Sequence, residues 1–152
     1  MSLSSTFSES TRGADVLTPA QRDQFDALVA ACALVANADG WVTRDERGHM
    51  LERMRGLPAL SRFGFEDALE AFEALDRRFQ VSPEKAQADA ETTIRRLRGR
   101  TEASRSLVNS ASAVASADGG LDAEEREVLL RICAILALDP VQFDLETRER
   151  RR

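Results

Sequence analysis

Apolar residues recur along this chain at steps of three and four, the period of a helix buried on one side. The first run opens at Thr18, where Pro19 and Gln21 complete an N-cap, a first-turn proline and a capping box. It carries Phe25, Leu28, Val29, Cys32, Val35 and Ala36 inward and should end near Ala38, before Gly40. Thr43 with Glu46 is a second capping box, opening a helix with Met50, Leu51 and Met54 buried that ends near Gly56 and Pro58. A third helix is expected from about Gly64 to Phe79, with Phe65, Leu69, Phe72, Leu75 and Phe79 on one face. Ser82-Pro83 repeats the N-cap and proline device and starts a fourth, through Ala86, Ala90, Ile94 and Leu97 to Gly99.

The fifth helix should run from about Glu102 to Ala117, with Leu107, Val108, Ala111, Val114 and Ala115 inward, until Gly119-Gly120 breaks it. Asp122 caps the sixth, whose Val128, Leu129, Ile132, Cys133, Ile135 and Leu136 make it the most hydrophobic segment and the expected centre of the fold. Asp139-Pro140 starts a last helix through Val141, Phe143 and Leu145. No period-two pattern occurs, so the fold class is all-α: a single-domain bundle of about seven helices. Residues 1–17, rich in Ser and Thr, are assigned to a flexible tail without a secretory pattern, residues 18–146 to the domain, and residues 147–152 to a basic tail.

The pattern also repeats. Residues 28–54 placed over 107–133 give ten identities in 27 positions without a gap, Asp39, Gly40 and Glu46 recurring as Asp118, Gly119 and Glu125. Two copies of one helix-turn-helix unit are expected to pack about a pseudo-twofold axis.

Composition narrows the chemistry. The chain has 152 residues, 43% apolar and 31% charged, enough for one globular core. Its formal charge of −5 gives no basic excess for phosphate neutralisation, so nucleic acid is not the expected partner. No apolar run reaches the roughly 18 residues of a membrane span, and residue 2 is Ser, so direct membrane insertion and myristoylation are not expected. Cys32 and Cys133 sit in helical runs with no metal-binding or redox spacing and read as buried thiols of a reducing cytoplasm. With a single histidine and no tyrosine, any metal must be held mainly by carboxylates.

Set against the calcium-loop template, Gly40 takes the glycine position, with Asn37 and Asp39 before it and Glu46 as the closing acid; Ser116, Asp118, Gly119 and Glu125 repeat the set. The first ligand position falls on Val35 and Val114, so an ordinary calcium hand is not expected and half a site from each of two facing units is the metal reading. The structural alternative assigns Asp39 and Asp118 to helix ends or turns and Glu46 and Glu125 to capping boxes. Glu46-x-x-His49 has di-iron spacing, but the second unit offers Val128 there, so His49 is expected to be a partly buried, hydrogen-bonded histidine. Trp41 is open between a lid over the first turn and a partner contact. Arg95, Arg96, Arg98 and Arg100 crowd one helix end, where they either suit the dipole or form an anion or partner patch.

CALVANADGWVTRDERGHMLERM and SAVASADGGLDAEEREVLLRICAILALDPVQFDL resemble the two halves of the TerB family of bacterial tellurite-resistance-associated proteins, over about residues 20–146. The resemblance implies an all-helical fold and no established catalytic activity. It implies a role in tellurite and other stress responses alongside a TerC-type membrane protein, and hence the cytoplasm, with any place at the inner face of the membrane owed to a partner. It also implies a divalent metal, calcium, magnesium or manganese, at Asp39, Glu46, Asp118 and Glu125. The expected function is a non-enzymatic cation-binding adaptor. The competing readings are a small metal-dependent hydrolase, for which no extra acid or base is identified, and a purely structural, co-chaperone-like interaction module.

Overall fold

The computed structural model describes residues 17–38, 44–116, 122–143 and 145, and of Glu46 and Arg47 the backbone alone. Among these are seven α-helices: α1 (Pro19–Ala36), α2 (Arg44–Arg55), α3 (Pro58–Phe63), α4 (Phe65–Val81), α5 (Pro83–Arg95), α6 (Thr101–Ala115) and α7 (Ala123–Leu136). A 3-10 turn, Pro140–Phe143, follows, and no described residue is in a strand.

The centre of the bundle is α1, not α7 as the hydrophobicity of the later segment suggested. Every residue from Ala27 to Val35 is buried, and α1 packs on α4, α5, α6, α7 and α2. A helix apolar on all sides can only be stable surrounded by others, and its alanines let those neighbours approach. On α7, Ala134 and Arg131 face solvent and Val128 is half-buried, and that helix packs mainly on α5, α6 and α1. α2 contacts α1 and α6, while α7 contacts α6 and α1, so each second helix of the repeated units touches both first helices.

The start signals hold unevenly. Thr18 accepts from Gln21 N at 3.1 Å and Gln21 Oε1 accepts from Thr18 N at 3.0 Å, a complete capping box. Ser82 takes the N-cap position without a side-chain cap bond, and only its carbonyl serves the helix start, accepting from Ala86 N at 3.0 Å. Pro58, expected only to end a helix, also begins one: with Leu57 extended at the N-cap it opens the short α3, which buries Leu60 and Phe63. The expected last helix is only the 3-10 turn. Asp139 Oδ1 accepts from Val141 N at 3.1 Å, but Val141 is exposed and offers no face to extend a helix, while Leu145 is buried. Leu17, placed above in the tail, packs half-buried against the core. The Thr43 cap and both tails otherwise lie outside the described residues.

Candidate functional site

The residues that flank the two acidic turns meet at one cleft. Asp39, Trp41 and Asp118 lie outside the described residues, as does the Glu46 side chain. Their flanks are placed: Asn37 and Ala38, which enter the first turn, and Glu124, which follows the second, line one cleft of about 360 Å³ between α1, α4, α5 and α7. Glu125 is half-buried and engaged in a capping box, accepting from Asp122 N at 3.4 Å while Asp122 Oδ1 accepts from Glu125 N at 2.8 Å. Among the described residues no three Asp, Glu, His or Cys side chains converge as a metal site.

Two acids absent from the expected set stand at the cleft, Glu91 in its lining and Asp76 behind Asn37. Asp76 on α4 is 1% exposed. Its Oδ1 accepts from Asn37 Nδ2 at 3.1 Å, and Asn37 Nδ2 also donates to the Ala33 carbonyl at 2.9 Å. With both amide hydrogens taken, the side chain at the exit of α1 is fixed in one orientation. Glu91 on α5, 8% exposed, receives Arg131 from α7 in a two-pronged bond, Nε at 3.2 Å and Nη2 at 3.0 Å, and a further bond from Gln87 at 3.1 Å. Burial pushes the Glu91 carboxyl up, but the hydrogen bonds of Arg131 and Gln87 and the charges of Arg131 and Arg95 outweigh it and hold the group below its ordinary value.

The arginines at the end of α5 divide. Arg100 Nη2 meets Asp23 Oδ2 at 2.8 Å, and Arg96 Nη1 lies 3.9 Å from Asp23 and 3.8 Å from Asp26, so both tie α1 to the loop after α5. Burial holds the Asp26 carboxyl above its ordinary value against the pull of Arg22 and Arg96. Arg95 and Arg98 are exposed. His49 is exposed rather than partly buried, because α2 turns Met50 and Met54 into the core and leaves position 49 outward. Cys32 and Cys133 are buried free thiols, pushed up by burial to about 12 and about 11.

A family model described as Tellurite resistance protein TerB matches residues 25–147. The chain belongs to the TerB family. No curated protein and no solved structure matches it.

The TerB match spans the cleft, both turns and all helices from within α1 onward, and at family level it supports a tellurite-resistance-like function. No helix among the described residues of this TerB domain is long and apolar enough to cross a membrane. Asp76 had a signal in the sequence: the buried face of α4 runs Ala68, Phe72, Asp76, Phe79, an acid at the third step of an apolar stripe. Attention to Leu75, which is only half-buried, hid it. Glu91 had no such signal, since its burial depends on α7 crossing α5.

Proposed function

We propose that this protein serves tellurite resistance or a related stress response as a non-enzymatic adaptor whose two acidic turns bind one divalent cation, calcium, magnesium or manganese, through Asp39, Glu46, Asp118 and Glu125. The observation that supports this reading is the shared cleft: Asn37 and Ala38 before the first turn and Glu124 after the second line the same cavity. Carboxylates gathered at one end repel, a like-charged pair at 4 Å costing about 4 kcal/mol at an effective dielectric of 20, and a cation between them removes that cost. Oxygen donors of this kind suit hard ions. The partner would be a TerC-type membrane protein or another stress-response protein, reached from the cytoplasm.

The test is the melting temperature in EDTA and in Ca²⁺, Mg²⁺ and Mn²⁺, for the wild type and for Asp39→Ala with Asp118→Ala. An ion at a hundredfold over its Kd stabilises the native state by about 2.7 kcal/mol, or roughly 5–10 °C for a chain of this size. The expected result is such a rise in the wild type, reversed by EDTA and abolished in the double variant. No rise with any of the three ions refutes the cation reading.

A further inference from the structure

The cleft carries more than the flanks of the turns. Its lining sets the apolar Leu34, Phe79 and Val128 beside the acids Glu91, Glu124 and Glu127. Along α7, Glu124, Glu127, Val128 and Arg131 all line it, at steps of three, one and three, so they share one helix face. Glu127 and Arg131 have the spacing of a helical ion pair. Arg131 instead reaches across to Glu91 on α5, and that fork neutralises both charges. Glu124 and Glu127 are therefore left exposed with no ion-pair partner among the described residues. Glu124 lies in the first turn of α7, where the helix dipole favours an acid; Glu127 lies beyond it and gains nothing from that.

A cleft that sets apolar side chains beside two exposed acids with no ion-pair partner among the described residues matches a side chain with an aliphatic stem and a cationic head. Arg131 already shows the pairing this wall makes, an arginine fork on a carboxylate. We propose that the cleft receives an arginine or lysine side chain from an amphipathic segment of a partner protein, the stem lying on Leu34, Phe79 and Val128 and the head on Glu124 and Glu127. At about 360 Å³ the cavity holds one or two side chains and excludes a whole helix. The inference gives the adaptor reading a docking surface and a class of partner. It rests on that part of the proposal and not on the cation, since Asp39, Glu46, Asp118 and Glu125 take no part in it.

The experiment uses the full chain in EDTA, so that failure of the cation reading leaves it intact. The probe is a capped, fluorescent helical peptide of about a dozen residues of Ala, Leu and Arg, against a counterpart with Glu for Arg. The Arg peptide is expected to bind saturably, to shift the NMR signals of Leu34 and Val128, and to weaken with added salt, while the Glu peptide does not bind. Glu124→Gln with Glu127→Gln should lower its affinity about tenfold, the loss of ~1.4 kcal/mol from two charges. Arg131→Gln, which frees Glu91 for an incoming cation, should tighten binding severalfold. Equal binding of the two peptides, affinity unmoved by the double substitution, or weaker binding with Arg131→Gln would overturn the proposal.

Discussion

α1 and α6 begin their repeated segments with Leu28-Val29 and Leu107-Val108 and close them with Val35-Ala36 and Val114-Ala115, yet one is enclosed and the other is half in water. The two helices pack together, and the shared residues are buried or half-buried on both. Where α1 continues with Ala30, Ala31, Ala33 and Leu34, α6 has Asn109, Ser110, Ser112 and Ala113. The four on α1 are buried, whereas Asn109 and Ala113 are exposed and Ser110 and Ser112 half-buried. The difference lies in the positions that do not match. Alanine on the outer side of α1 invites α4 and α5 to cover it. The polar Asn109 and Ser110 of α6 line an open groove beside α3 instead.

The largest expected contrast uses these positions. Ala31→Leu should cost about 1–3 kcal/mol, because a side chain is forced into a packed interior. The equivalent Ser110→Leu, beside the groove, should change stability by no more than about 0.5 kcal/mol. Urea unfolding of the two variants measures both, and equal costs would mean that α1 is not the central helix.

A second contrast lies at the helix ends, Asn37 and Ser116, which correspond in the repeat. Ser116 Oγ donates to the Ser112 carbonyl of its own helix, at 2.7 Å, whereas Asn37 joins α1 to the buried Asp76. Removing a donor from a buried carboxylate leaves it short of a partner, so Asn37→Ala should cost about 1–3 kcal/mol. Ser116→Ala should cost a few tenths. If both cost the same, Asp76 does not anchor the end of α1.

The smallest effect concerns the thiols. With Cys32 pushed to about 12 in α1 and Cys133 to about 11 in α7, thiolate is scarce in the native state and scarcer in the central helix. Alkylation of the folded protein should be slow and reach Cys133 first, and in denaturant the two should react alike. Because both thiols ionise more easily unfolded, near pH 8.5, their contribution to stability is whole below that pH and lost as pH rises toward the folded values. Faster labelling of Cys32 would reverse the expected order of reactivity.

Much of the fold was legible because it follows from local rules. The capping box at Thr18 and the apolar stripes of α5 and α6 need only neighbouring residues. The short α3 was missed because one proline both ends and begins a helix. The last helix was overdrawn because a cap and a proline start a turn but do not supply a buried face. The candidate site divides in the same way. The Arg cluster and Glu125, including its capping box with Asp122, could be named in advance, but not that Arg96 and Arg100 reach back to Asp23.

The amino-acid sequence by itself settled the helical class, most helix starts, the twofold repetition of residues and the family resemblance, since these depend on spacing and identity alone. The tertiary structure decided which helix is enclosed, that Asp76 and Glu91 are buried, and that Arg131 serves Glu91 and leaves Glu127 open. Burial and charge pairing are properties of what crosses a residue in space. Two helices with the same pattern can therefore acquire different environments only when the chain has packed.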